Sequence, residues 1–129
     1  MKITVSKTDT FDVRVYAYSV DGEIGATHDK SDLPENVDET EEVKFVFRRP
    51  SNFDSNTILK ESRVNGPDES NLKLDISLLQ DAILRKLLVD WDVKDDNNEK
   101  LRLTQGNINI LHPDIARAAA SGCMDKVKL

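Results

Sequence analysis

Strict alternation of apolar and polar residues predicts two half-buried β-strands in the N-terminal half of the chain. The apolar positions of the first strand are Phe11, Val13, Val15 and Ala17. The second strand stops before Pro50, since proline cannot donate to a strand ladder, and its apolar positions are Val43, Phe45 and Phe47. Ile3 and Val5 indicate a shorter strand at the N-terminus, so we expect residues 1–20 to form a hairpin.

A helical period replaces this alternation further along the chain. After Ser70 or Asn71, either of which can cap a helix, apolar residues recur at spacings of three or four. They are Leu72, Ile76, Leu79, Ile83 and Leu87. One continuous stripe of this kind predicts the central core helix, and Leu84, Leu88 and Trp91 widen it.

Capping residues and helix breakers delimit the other helices. Ser51 or Asn52 can begin a helix over about residues 53–64, which the run Asn65-Gly66-Pro67 would end. Polar residues predict a loop over 92–100, followed by a short extended piece at 101–103 and a turn of helix capped by Thr104. The last helix is expected to begin near Pro113 and to end near Gly122.

These elements predict an α+β fold, in which a small antiparallel N-terminal sheet of about three strands packs against a C-terminal bundle of three to four helices. The length of 129 residues fits one domain. We expect three parts within it: the hairpin of residues 1–20, a flexible segment over 21–42, and a strand followed by helices over 43–129.

Charge is concentrated in the second of these parts. The chain carries a net charge of −6, whereas residues 21–42 alone hold nine acidic residues and one lysine, a balance of −8. The rest of the chain is therefore close to neutral, at +2. This acidity opposes binding to nucleic acid or to an anionic membrane. It indicates either a solvated segment that keeps the protein soluble or an arm that binds a basic partner.

Residues that could carry catalysis or bind a metal form no recognised motif. His28, His112 and Cys123 are distant from one another in the sequence, and no glycine-rich phosphate loop is present. The acidic residues from Asp90 to Glu99 do not have the spacing of a helix–loop–helix calcium site. We therefore expect no enzymatic activity, no metal and no cofactor.

Four segments together resemble the tail-assembly chaperones of long-tailed bacteriophages, over about residues 43–120. They are Phe45-Val46-Phe47-Arg48-Arg49-Pro50-Ser51, Leu88-Val89-Asp90-Trp91-Asp92-Val93-Lys94-Asp95, Leu103-Thr104 and Ile108-Asn109-Ile110-Leu111-His112-Pro113-Asp114-Ile115-Ala116. In that family, a strand ending in a Phe-Arg-Pro-like stretch precedes helices. A Trp-Asp turn then leads to a capped Leu-Thr segment and a final helix that begins near a proline.

The resemblance implies a non-catalytic protein that covers the hydrophobic tape-measure protein and recruits tail-tube subunits in the host cytoplasm. The alternative is a structural component of the particle, such as a tail, connector or minor virion protein, which would place the chain in the virion. A homo-oligomer also remains open.

The partner-binding candidates fall in two groups. Arg48 and Arg49 form the one locally basic corner, which either balances the charge of the acidic segment just upstream or attracts an acidic partner. If the leucine stripe is wider than one core can use, Leu84, Leu88 and Trp91 would face a partner; otherwise they belong to the core.

Overall fold

A four-stranded antiparallel sheet, together with four α-helices in the described residues, confirms the α+β prediction. The computed structural model describes residues 1–65 and 72–129. The strands of this sheet are β1 (Thr10–Val20), β2 (Glu23–Thr27), β3 (Glu39–Arg48) and β6 (Leu88–Trp91). Their order across the sheet is β2-β1-β3-β6. The helices are α1 (Asn52–Ser62), α2 (Ile76–Leu87), α3 (Gln105–Asn109) and α4 (Pro113–Lys126). A separate two-stranded ladder pairs β4 (Arg63–Asn65) with β5 (Leu72–Leu74).

The long ladder between β1 and β3 is the centre of the sheet. It runs in continuous register from the pair Thr10–Arg48 to the pair Ser19–Glu39. Because side chains alternate between the two faces of a strand, this register brings the apolar residues of both strands to one face. They are buried there: Phe11, Val13, Val15, Val43, Phe45 and Phe47. Both alternating strands predicted from the sequence are thus confirmed.

The predicted hairpin of residues 1–20 is wrong. Ile3 and Val5 belong to no strand, and Ile3 is 85% exposed. The strand that forms a hairpin with β1 is instead β2, through the two-residue turn Asp21–Gly22, whose φ angles are 52° and 84°. Asp-Gly adopts two successive positive φ angles more readily than most dipeptides, and such a turn matches the twist of the strands that it joins.

The acidic segment of residues 21–42 is also more regular than we predicted. It contains β2, a short 3-10 helix (Lys30–Asp32) and the first four residues of β3. Backbone pairing with β1 holds β2 and the first residues of β3, and their charged side chains remain in water or form ion pairs. Arg14 Nη1, for example, donates to Glu42 Oε1 at 2.8 Å across the ladder.

The central helix is shorter than its apolar stripe suggested. Asp75 caps it by accepting the backbone N–H of Leu78, so the helix begins at Ile76. Leu79, Ile83 and Leu87 are buried as predicted. Leu72, which we placed in the helix, belongs to β5. The predicted stop at Gly66-Pro67 and the predicted cap at Ser70 or Asn71 lie outside the described residues.

The remaining helices follow their capping signals. Ser51 caps α1, Thr104 caps α3, and Pro113 opens α4, as predicted. The loop over 92–100 is confirmed, with Asn98 at a φ of 62°, whereas residues 101–103 form no strand. No helix in the described parts of the chain is long and apolar enough to cross a membrane.

Gly122 does not end α4, which continues to Lys126. A Cβ atom at this position would collide with the side chain of Val13 and would lie 3.1 Å from the Cβ of His28. The glycine therefore allows α4 to pack closely against β1, and this contact explains why it stands inside a helix despite its low helix propensity.

We expect Gly122→Ala to destabilise the fold by about 1–3 kcal/mol, because the added methyl group overpacks the contact between α4 and β1. The measurement is the free energy of unfolding in urea. Gly106→Ala in α3 is the matched control, since the atom nearest to its Cβ is Thr104 Oγ1 at 3.9 Å. There, the higher helix propensity of alanine should leave stability unchanged or raise it by up to about 1 kcal/mol. Equal effects at both positions would contradict the packing argument.

Candidate protein-binding surfaces

Arg48, the last residue of β3, binds residues of α1 and α2 and is not available to a partner. Its guanidinium binds the Asp54 carboxylate of α1 through two nitrogens, and its Nε donates to the carbonyl oxygen of Lys86 in α2 at 3.1 Å. Both side chains of the ion pair are largely buried. The predicted role of Arg48 in binding an acidic partner is therefore corrected: its charge is already satisfied inside the fold.

Asp54 is held as an anion by these contacts. The hydrogen bonds from Arg48 lower its pKa well below the ordinary value of 3.8, against the opposing effect of burial, and hydrogen bonds from Ser51 lower it further. Ser51 and Asp54 also form a reciprocal capping box at the start of α1. One carboxylate thus fixes both the start of the helix and the arginine at the end of β3.

Arg49 is exposed, in contrast to its neighbour. Its backbone N–H donates to the carbonyl oxygen of Asp9 at 2.7 Å, and its guanidinium carbon lies 5.0 Å from the centroid of the Phe11 ring. The Phe11 ring attracts the guanidinium without neutralising it, and the exposed side chain keeps its charge in contact with solvent. Of the two arginines in the predicted basic corner, the structure leaves only Arg49 available to a partner.

Leu84, Leu88 and Trp91 lie in the hydrophobic core. Trp91 is 1% exposed, its ring meets that of Phe45 edge-on at 6.2 Å, and its Nε1 donates to the carbonyl oxygen of Leu101 at 2.8 Å. The three residues were predicted to face a partner only if the leucine stripe was wider than the core required. All three are buried, because β6 follows α2 directly and pairs with β3, which brings this segment into the core.

Exposed apolar side chains instead occur where the chain passes from the β4–β5 ladder into α2. We call Leu74, Ile76 and Leu78 the hairpin surface; Val64 is exposed too, but by the ladder register it lies on the face opposite to Leu74. The late start of α2 explains the exposure of Ile76 and Leu78, since both occupy the first helical turn, before the buried residues that begin at Leu79. Sequence analysis assigned Ile76 to the core stripe and therefore missed this surface.

A recess lies beside the start of α4, where the end of β1 pairs with β2 and with the start of β3. The inward residues of β1 are small there, and the space beside them forms a recess of about 200 Å³, which we call the end groove. Its lining includes Ala17, Ser19, Ile24, Glu39, Glu41 and Ile115.

The histidines and the cysteine have structural positions. His112 Nδ1 accepts the backbone N–H of Asp114 and so caps α4, while His28 Nε2 lies 2.6 Å from a carboxylate oxygen of Asp125. Cys123 is buried, and burial raises the pKa of its thiol to about 12. This shift disfavours the thiolate that a cysteine nucleophile requires. Within residues 1–65 and 72–129, no three histidine, cysteine or acidic side chains are grouped as metal ligands.

We expect Asp54→Asn to lower the free energy of unfolding by about 2 kcal/mol at neutral pH, because it weakens charge-assisted bonds to a largely buried arginine. Since folding lowers the pKa of Asp54, its stabilising effect is present above the ordinary pKa of 3.8 and is lost as the pH falls below it. The difference from the wild type should therefore shrink in acid. Urea unfolding at neutral pH and near pH 2.5 would measure it.

Asp81→Asn is the control, because Asp81 makes an exposed pair with Arg85 on the surface of α2. Loss of such a pair should cost less than about 1 kcal/mol. A gap between Asp54→Asn and the wild type that stays constant down to acid pH would contradict the proposed role of the carboxylate.

No protein-family model matches the chain, and searches of curated proteins and of solved structures find no match either.

Proposed function

We propose that this protein is a non-catalytic chaperone of bacteriophage tail assembly. In this role, it covers a hydrophobic segment of the tape-measure protein in the host cytoplasm, keeps it soluble, and recruits tail-tube subunits to it. The order of the Phe-Arg-Arg-Pro, Trp-Asp, Leu-Thr and His-Pro-Asp segments resembles the order found in that chaperone family. The α+β fold is compatible with such a role.

The observation that carries the proposal is the hairpin surface. Ile76 is 58% exposed and Leu78, two residues later, is also exposed, although both would be stabilised by burial at about 25 cal/mol per Å² of apolar surface. Three exposed apolar residues within five positions, Leu74, Ile76 and Leu78, are a candidate surface for binding a protein partner. The net charge of −6 keeps a protein with such a surface soluble while it has no partner.

The hairpin surface also replaces the partner-binding residues predicted from the leucine stripe. A chaperone must present its apolar contact without unfolding, and Leu84, Leu88 and Trp91 cannot reach a partner while they fill the core. Ile76 and Leu78 can, because they lie at the open end of the same helix.

We expect the wild-type chain to keep the tape-measure protein of the same phage genome soluble when the two are co-expressed. The double variant Ile76→Asp/Leu78→Asp should reduce the amount of co-purified tape-measure protein at least about tenfold, as expected for loss of central apolar contacts. Both positions are in the first turn of α2, where acidic residues are favourable, so the variant should still fold.

Ile3→Asp/Val5→Asp is the matched control, because it places the same two charges on exposed residues outside the sheet. It should bind the tape-measure protein as the wild type does. Equal binding by the hairpin-surface variant, or no binding by the wild type, would contradict the proposal.

A count of copies by quantitative mass spectrometry separates the chaperone from a structural component of the particle. A chaperone should be abundant in lysate of infected cells and absent from purified particles. A fixed number of copies in each particle would overturn the chaperone role and favour a tail, connector or minor virion protein.

A further inference from the structure

The end groove is an acidic recess with an apolar lining. Ala17 and Ser19 form a floor of small side chains, while Ile24 of β2 and Ile115 of α4 contribute apolar walls. Glu41 and Glu39 lie on β3 directly opposite the two floor residues. The Asp21–Gly22 turn and Glu23 add more negative charge at this end of the sheet.

An apolar side chain with basic neighbours lies at the opposite end of the sheet. Phe53, the second residue of α1, is 77% exposed. Lys60 follows seven residues later on the same face of the helix, and the exposed Arg49 precedes it. We call these three residues the basic knob.

Nearby acidic residues do not cancel the charge of the basic knob. Asp54 is bound by Arg48, and the carboxylate of Glu61 accepts from Arg85 at 3.0 Å and pairs with Lys86 at 3.2 Å. The two ends of the molecule therefore differ in charge. β1 and β3 run between them, because Thr10 pairs with Arg48 at one end and Ser19 pairs with Glu39 at the other.

From this complementarity, we propose that the chain associates head to tail with a second copy of itself, with the basic knob of one copy seated in the end groove of the next. The recess of about 200 Å³ is large enough for the ring of Phe53, since a benzene molecule fits a protein cavity of about 150 Å³. The acidic residues Glu39 and Glu41 would then face Arg49 and Lys60. This inference concerns the purified chain alone and does not depend on the proposed function.

Such an interface is heterologous, because two different surfaces meet. It leaves a free knob and a free groove at the ends of every oligomer, so growth does not stop at a dimer unless the copies close into a ring. This property distinguishes the proposal from a symmetric dimer, in which the same surface would meet itself and growth would end at two copies.

The test is sedimentation equilibrium of the purified chain over a concentration series up to about 1 mM, the range of weak specific association. At an ionic strength of about 0.1 M, the average mass of the wild type should rise with concentration beyond that of a dimer or reach a closed ring. At about 1 M salt, where the Debye length falls from about 10 Å to about 3 Å, the association should weaken.

Two variants each disable one surface. Phe53→Asp removes the knob, and Glu39→Lys/Glu41→Lys reverses the charge of the groove; each alone should lower the association constant at least about tenfold. An equimolar mixture should form a dimer and nothing larger, because each variant retains the surface that the other has lost. Recovery of the dimer in the mixture also shows that both variants are folded.

The matched controls make the same kinds of substitution at exposed positions outside the basic knob and the end groove. Ile110→Asp introduces a charge at another exposed apolar residue, and Asp96→Lys/Glu99→Lys makes the same change in net charge on the loop after β6. Both should associate as the wild type does. A wild type that stays monomeric throughout, a wild type that stops at an open dimer, or a variant mixture that forms no dimer would each overturn the proposal.

Discussion

The close contact of α4 with β1 at Gly122 is the constraint on which the rest of the structure depends. It allows the helix to lie directly against the inner face of the sheet, with Gly122 beside Val13 and Lys126 Nζ donating to the carbonyl oxygen of Asp12 at 2.7 Å. From this point, α4 runs back along β1 towards Ile115, which lines the end groove. The position of the helix decides which inward side chains become core and which remain open to solvent.

The core and the end groove are thus two parts of one sheet face. Under the helices, the inward residues of β1 and β3 are large and apolar, and burial of each stabilises the fold by about 1.5–3 kcal/mol. Beside the start of α4, the same face carries Ala17 and Ser19 opposite acidic residues. Along β1 and β3, the inward residues therefore change from large to small and from apolar to acidic towards this end of the sheet.

Sequence patterns predicted the elements whose signal is local. Alternation located the buried half of β1 and β3, and Ser51, Thr104 and Pro113 marked their helices correctly, because strand alternation and capping act over a few residues. The pairing of Arg48 with Asp54 was also available, since Ser51 and Asp54 have capping-box spacing and Asp54 lies six residues after the arginine. The sequence-based alternatives for that arginine were charge balance with the acidic segment upstream and binding of an acidic partner, whereas its ion-pair partner, Asp54, lies downstream.

The surfaces could not be predicted because they depend on lengths and registers that only the fold determines. The end groove exists because β2, the start of β3 and the start of α4 meet at the small residues Ala17 and Ser19 of β1, and the hairpin surface exists because Asp75 starts α2 after the first residue of its apolar stripe. Neither fact is visible in a hydrophobic pattern, in which Ile76 continues the stripe of Leu79 and Ile83. The acidic segment shows the same limit, since its polar residues gain order from ladder pairing with β1 that no local pattern contains.

The distribution of charged residues between the two ends of the sheet also follows from the strand pairing. An antiparallel pair brings the start of β3 beside the end of β1, so Glu39 and Glu41 join Asp21 and Glu23 at one end of the sheet, although up to twenty positions separate them in the chain. At the other end, Arg48 closes onto Asp54, while Arg49 stays exposed above Phe11. Because β1 has eleven residues, the charges at the two ends of the sheet are separated by about 34 Å. This separation is several times the Debye length of about 8 Å at physiological salt, so the two sets of charges interact little within one molecule. Each set therefore remains available to interact with a second molecule.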